Sequence, residues 1–297
     1  MKMMVLRSML YVPGNNMRMI HKACKLNADA VILDLEDAVP IDDKETARIF
    51  IRDSIEVLKN SGATVFVRVN SLSTGLTQED LEYAIRKGLD GIMLPKCESS
   101  SDVIELENMI SKLERNRGIE SGSIAIMPLI ETTRGVLNAY EIASSSKRIV
   151  AIGFGAVDFT RELGTSPSKE GIEILYARSH IAISARAANI LSIDTPWTDI
   201  MDMNGLIEDA KMARRLGFNG KMLIHPKQIN PINEIFTPSS EEIEFAKKIV
   251  EEFEKAQKMG LGAISIEGMM IDIANYRQAK QLLTLVKLIR ERESKRR

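Results

Sequence analysis

Residues Ala30–Pro40 read AVILDLEDAVP. Four apolar residues in succession, two of them β-branched, suit a strand buried on both faces, as in a parallel sheet covered by helices. The run then meets three acids, Asp34, Glu36 and Asp37, within four positions. Charged side chains are rarely buried without a partner or a metal, so this strand end asks for a cation, a base or a helix cap.

The pattern repeats along the chain. SMLYVP, TVFVRVN, GIMLPK, IAIMPLIE, IVAIGFG, NILSID and GKMLIHP are further short, β-prone apolar runs, which with AVILDL make eight strand candidates. Helical spacing fills the intervals, as in Glu79, Leu81, Ile85 and Leu89, or Val103, Leu106, Ile110 and Leu113. Eight such units before about position 230 suit a closed (β/α)8 TIM barrel better than a doubly wound sheet. The expected organisation is a barrel over residues 1–235 and a C-terminal helical extension over 236–297. The extension reads as a helix from about Glu241 to Met259, a Gly-rich link GLGAISIEG, and a second helix from about Asp272 to Arg290.

Composition narrows the function classes. The 297 residues are 44% apolar and 27% charged, enough for a sizeable buried core. With 40 basic against 41 acidic side chains there is no basic stripe to bind nucleic acid, and IRERESKRR at the C-terminus reads as a solvated helix end. Cys24 and Cys97 are the only cysteines, which argues against a disulfide framework and makes the cytoplasm the default location. The apolar start MKMMVLRSMLYVPG is interrupted by Arg7 and ended by Pro13-Gly14, so no signal peptide is expected, and no run approaches the length of a membrane span.

In a barrel the reacting groups lie where strands run into the following loops. Taken in order, those ends deliver Tyr11, Asp34, Glu36, Asp37, Arg68, Asn70, Lys96, Glu131, Asp158, Asp194 and His225. Any one of them has a plain alternative: Asp and Asn cap helices, and Lys96 or Arg68 pairs with a neighbouring acid. Together they set several carboxylates against few cations, an imbalance that a metal resolves. Glu131 and Asp158 are hard oxygen ligands, and two carboxylates with open positions suit Mg2+ and a bidentate 2-oxo or 2-hydroxy acid. Taken alone, Asp158 reads equally well as the cap of the next helix and Glu131 as a partner of Arg134. GFGAVD lacks the third glycine of a dinucleotide fingerprint. His21 and His180 fall within helical patterns and read as structural.

RSMLYVPGNN, ILDLEDAV followed by Lys44, VRVN, LPK, PLIETTRGV, GFGAVDF, GFNGKMLIHPKQI and GMMIDIANYRQA run in order from Arg7 to Ala279. In these motifs the chain resembles the citrate lyase β-subunit group of the HpcH/HpaI aldolase superfamily, on the side of the citramalyl-CoA and malyl-CoA lyases. The resemblance implies a (β/α)8 barrel with a C-terminal extension, a homotrimer or hexamer, and Mg2+-dependent chemistry on acyl-CoA thioesters, with Mn2+ as a substitute ion. It marks Glu131 and Asp158 as metal ligands and Arg68 as the substrate-binding arginine. Tyr11, Arg18 and Lys22 fall at CoA-binding positions, Ile224 and His225 at a substrate-contacting pair, and Asp272 at a catalytic acid/base that reaches a neighbouring subunit. Some relatives carry lysine where this chain has Arg18, which keeps the charge and changes the geometry. From the residues alone, Asp272 reads as the cap of the final helix.

Two of the three acids after AVIL are expected to accept hydrogen bonds from metal-bound waters and from Arg68, and the third to close the strand as a cap or ion-pair partner. Glu36 and Asp37 are the pair expected in the first role, and the sequence divides the roles no further. The expected activity is a Mg2+-dependent carbon-carbon lyase that cleaves a 3-hydroxyacyl-CoA to acetyl-CoA and a 2-oxo acid: pyruvate, glyoxylate or oxaloacetate. Alternatives are a malyl-CoA thioesterase, a citrate lyase β subunit acting on an acyl-carrier-protein-bound substrate, and a CoA-binding protein without turnover.

Overall fold

The computed structural model describes residues 4–295. The described residues divide into two compact units, one spanning Met4–Ile235 and one beginning at Phe236.

In the first unit eight strands, β1 (Ser8–Pro13), β2 (Ala30–Asp34), β3 (Thr64–Arg68), β4 (Gly91–Leu94), β5 (Ala125–Ile130), β6 (Ala151–Phe154), β7 (Leu191–Asp194) and β8 (Gly220–Leu223), close into one barrel. Every pairing is parallel, including β1 with β8. All eight expected strands are present, and helices occupy the intervals.

The two-residue period of a strand sets what the barrel contains. Met9, Ile32, Phe66, Met93, Leu129, Ile193 and Met222 form one interior cluster. Each such side chain contributes about 1.5–3 kcal/mol through its burial. Gly153 leaves the space that Met127, Leu129 and Met222 fill, since a Cβ there would meet all three. One step further in the same phase come Tyr11, Asp34, Arg68 and Glu131, so the C-terminal mouth of the barrel receives polar groups from β1, β2, β3 and β5.

Asp194 departs from the expected rim. It follows interior Ile193 by one residue and so faces the outer helices, where it bonds Arg178 of the helix Leu175–Ala187 at 2.9 and 2.6 Å and Lys221 of β8 at 2.5 Å. Lys221 also bonds Asp209 of the helix Met203–Leu216 at 2.5 Å, making a buried ionic staple between strands and helices. Another expected helix stops early, running only over Thr77–Ala84. Ile85 turns to an extended ψ of 93° and Gly88 takes a φ of 99°, yet Ile85 and Leu89 still face inward. Val103, Leu106, Ile110 and Leu113 form the buried stripe of the helix Ser100–Asn116 as expected.

In the second unit the helices Ser240–Lys258 and Ile273–Lys295 share a core of Ile249, Phe253 and Ala279, with the Phe253 and Tyr276 rings stacked at 5.1 Å. The expected link between them contains an antiparallel hairpin, β9 (Ile264–Ile266) and β10 (Met269–Ile271). Its turn residues, Glu267 and Gly268, both have positive φ, the geometry that a two-residue hairpin turn demands. Cys24 and Cys97 are free thiols, and no helix among the described residues is long and apolar enough to cross a membrane.

Candidate active site

Asp34 and Arg68 are register partners on adjacent strands. Arg68 Nε and Nη2 donate to Asp34 Oδ1 and Oδ2 at 2.7 and 2.6 Å, a bidentate fork, and Nη1 lies 2.9 Å from Glu36 Oε2. The guanidinium also sits 4.8 Å over the centre of the Tyr11 ring, while the single Tyr11 O–H has two sulfur acceptors within reach, Met93 at 3.3 Å and Met222 at 3.2 Å. Burial works against the charge of Arg68, but Tyr11, Asp34 and Glu36 outweigh it and hold the guanidinium protonated. Burial pushes the Tyr11 phenol up, with Arg68 opposing, so Tyr11 stays neutral here.

The acidic loop after β2 is built around Asp34. Its Oδ1 accepts the Glu36 N–H at 3.0 Å and its Oδ2 the Ala38 N–H at 3.3 Å. Asp34 therefore closes the strand and grips Arg68 at once. Beneath the loop, the buried Lys44 ammonium donates to the Leu35 and Glu36 carbonyls at 2.5 and 2.8 Å and to Asn70 Oδ1 at 2.8 Å. Asn70 donates through its backbone and its side chain to Asp80 Oδ2, both at 2.7 Å, and Asp80 is bonded by Arg48 at 2.7 Å. The sequence reading assigned Lys44 and Arg48 no such task. The available signal was their position on the same helical stripe as Ala47, Ile51, Ile55 and Leu58, where a charge needs a partner.

Glu131 follows β5 and is 2% exposed. Its Oε1 accepts the Lys96 N–H at 2.8 Å, and its Oε2 lies where a Cβ on Gly155 would fall, 2.6 Å away. Burial first, and then the charge of Glu36, raise the Glu131 carboxyl to about 8; Arg68 and the Lys96 N–H pull the other way, and Asp158 adds to the rise. Asp158 sits in the first turn of the helix Ala156–Leu163, whose Ala156 N–H is held by Thr195 Oγ1 at 3.0 Å. Arg161 bonds Asp158 Oδ1 at 2.5 Å from the solvent side. Lys96 reaches back to Glu36 Oε1 at 3.0 Å; burial lowers its ammonium but the bond and charge of Glu36 prevail, leaving it raised. Glu36 is raised by burial in spite of Arg68 and Lys96.

These residues meet three requirements of a divalent cation. Asp34, Glu36, Glu131 and Asp158 gather with Arg68 and Lys96 in the mouth and Arg161 on its solvent side, and Glu36 and Asp158 both push the Glu131 carboxyl up, a repulsion that a bound cation relieves. Glu36 Oε2 is buried without a hydrogen-bond donor, although Arg68 is in ionic contact, and so is available to a metal-bound water. Gly155 leaves Glu131 Oε2 room that any side chain would take. Among the described residues no group of three or more His, Cys, Asp or Glu is placed to hold a metal ion by itself.

Asp37 is exposed, with Oδ2 4.0 Å from Arg68 Nη1. Arg18 and Lys22 project from the exposed face of the helix Met17–Ala23, capped by Asn16. Ile224 and His225 leave the end of β8, where Gln228 Oε1 accepts both backbone N–H groups at 3.0 and 3.2 Å and Gln228 Nε2 donates to the Trp197 carbonyl at 2.9 Å. Asp272, in the second unit, caps the final helix: its Oδ1 accepts the Ala274 and Asn275 N–H groups at 2.8 and 3.1 Å.

The family model for HpcH/HpaI aldolase/citrate lyase matches residues 7–226. The chain is 37% identical to citrate lyase subunit beta of Haemophilus influenzae, covering 95% of this chain and 97% of that protein. It is 35% identical to the mitochondrial citramalyl-CoA lyase of Homo sapiens, covering 96% and 87%. The crystal structure of protein CitE from Mycobacterium tuberculosis in complex with magnesium, acetoacetate and coenzyme A is similar at a TM-score of 0.72 and 31% identity, covering 95% of this chain and 98% of that one.

Proposed function

Because the chain belongs to the HpcH/HpaI aldolase/citrate lyase family, we propose that it is a Mg2+-dependent carbon-carbon lyase, cleaving a 3-hydroxyacyl thioester to an acetyl thioester and a 2-oxo acid. The observation that carries this is the barrel mouth itself, where Glu131 with its reserved space faces the Asp34–Arg68–Glu36 cluster. Glu131 and Asp158 would hold the ion, which when bound supplies Lewis-acid charge to oxygens of the oxo-acid half.

Arg68 has five N–H donors, of which Asp34 engages two and Nη1 is in ionic contact with Glu36, so it keeps at least two for an oxygen on which charge develops. Its fixed fork means that little reorganisation is needed when that charge appears. In cleavage the 3-hydroxyl gives up its proton to solvent water as its carbon becomes the oxo carbon, the bond electrons pass to the acetyl carbon, and one proton is returned there, so that protons balance. Asp272 is assigned that last transfer on the strength of the GMMIDIANYRQA motif, from its own chain or a neighbouring one. Tyr11, Arg18 and Lys22 are assigned to the CoA portion, and Ile224 and His225 to the substrate.

We place citramalyl-CoA, and so pyruvate, first. Discrimination between pyruvate and glyoxylate rests on one methyl, for which packing offers about 1–3 kcal/mol. The similarity to a citrate lyase β subunit favours a second reading, the same carbon-carbon cleavage on a substrate bound to an acyl carrier protein. The test incubates the protein with Mg2+ and citramalyl-CoA or malyl-CoA and follows acetyl-CoA, oxo acid and free thiol. Equal acetyl-CoA and oxo acid, abolished by EDTA, is the expected result. Free thiol with intact hydroxy acid would mean a thioesterase, and no product on either ester would favour the carrier-protein reading.

A further inference from the structure

Lys96 is one of three non-glycine residues among those described with a positive φ, at 50°, and the only one of the three at the barrel mouth. A left-handed backbone costs an L-residue about 1–2 kcal/mol, and such strain persists only where the surroundings over-determine it. Here two bonds do so. The Lys96 N–H is held by Glu131 Oε1 at 2.8 Å and its ammonium by Glu36 Oε1 at 3.0 Å. The next residue continues the anchoring, with the Cys97 N–H donating to the Leu129 carbonyl on β5 at 3.3 Å.

The two carboxylates belong to different parts of the site. Glu131 is the ion's ligand in the reading above, while Glu36 touches Arg68. A right-handed or extended residue at 96 would turn its amide or its side chain away. We infer that Lys96 is a positioning residue with two separable tasks: its amide orients Glu131, and its ammonium keeps Glu36 from drawing Arg68 out of the Asp34 fork. This inference rests on the lyase reading. The amide task belongs to any residue that accepts this backbone, and the ammonium task to a cation alone.

Three variants separate the tasks: Lys96→Ala, Lys96→Gly and Lys96→Arg. Mn2+ binding without substrate, followed by the loss of its free-ion magnetic resonance signal, should stay within about threefold of the unmodified protein for all three, since the amide remains, with Glu131→Gln as the variant that loses the ion. At saturating Mg2+, kcat should fall about tenfold or more in the Ala and Gly variants with KM moving far less, and Lys96→Arg should recover most of it. That split follows because an effect exerted through Arg68 is felt where charge develops. The Gly variant should also melt above the Ala variant, because both lack the ammonium and only alanine bears the left-handed cost.

Wild-type kcat in Lys96→Ala would overturn the ammonium task. A loss of Mn2+ affinity in Lys96→Ala as large as in Glu131→Gln would overturn the separation. A Gly variant no more stable than the Ala variant would remove the strain from the argument. An unmodified protein that binds no Mn2+ and turns over no ester would instead overturn the lyase reading, and this inference with it.

Discussion

Gly155→Ala tests the space reserved beside Glu131. The backbone there, with φ −103° and ψ 85°, is one that alanine tolerates, so the effect is steric rather than conformational. The new Cβ would sit 2.6 Å from Glu131 Oε2 and 2.7 Å from Glu131 Cβ. Neither atom yields easily: Oε1 of the same carboxylate is held by the Lys96 N–H at 2.8 Å, and Cβ is fixed at the end of β5. Overpacking of this kind costs about 1–3 kcal/mol. Gly155 is also the N-cap of the helix Ala156–Leu163, and alanine is a poorer cap by up to about 1 kcal/mol. The sum, about 1–4 kcal/mol, corresponds to a melting point lower by about 2–16 °C for a unit of this size. The cap alone leaves metal binding untouched, whereas displacement of Glu131 weakens it by about tenfold or more, roughly 1.4 kcal/mol. Thermal melts with and without Mg2+, together with a Mn2+ titration, read both quantities. Gly262→Ala, where a Cβ would meet nothing within 4 Å, is the silent control. A Gly155→Ala protein with the Mn2+ affinity of the unmodified chain would refute the argument, whatever its melting point.

Three further outcomes are expected. Asp34→Asn leaves Arg68 buried without its bidentate partner and frees the loop N–H groups that Asp34 holds, so denaturant unfolding should show a loss of about 3–5 kcal/mol, with turnover lost as well. Asp194 is subject to burial, which raises its carboxyl, but Arg178 and Lys221 outweigh this and lower it from 3.8 to about 2 in the folded chain. Its stabilising contribution, about 2 kcal/mol, is therefore complete above about pH 4 and fades as pH falls toward 2; urea unfolding should show that slope, and Asp194→Asn should flatten it. If Asp272 serves a neighbouring subunit, mixing inactive Asp272→Ala and Glu131→Ala chains restores part of the activity on reassembly, whereas no recovery points to a site completed within one chain.

The eight strands were legible because a strand covered on both faces has to be apolar at nearly every position, as AVIL and GIML are. Their alternation with amphipathic helices then leaves a parallel barrel as the way to bury all eight. The short hairpin of the second unit was hidden, because ISIEGMMI carries its strand signal in two pieces of three residues beside glycines that also suit a linker.

The candidate site was legible as chemistry and not as geometry. That acids and an arginine stand at strand ends follows from the order of residues, and the resemblance supplied roles for Glu131, Asp158 and Arg68. Which acid grips Arg68 depends on strand register, and the pairing of Asp34 with Arg68 on neighbouring strands decided it. Which strand-end acid faces the mouth depends on the phase of each strand: one residue separates interior Ile193 from Asp194, and two separate Ile32 from Asp34. Lys44, Lys96 and Gly155 act through contacts 8 to 60 positions away in sequence, across loops whose closure no local pattern encodes. Local hydrophobic period therefore determined the elements and their order, while register, phase and the packing of distant segments, which exist only once the barrel has closed, determined which of its polar groups meet.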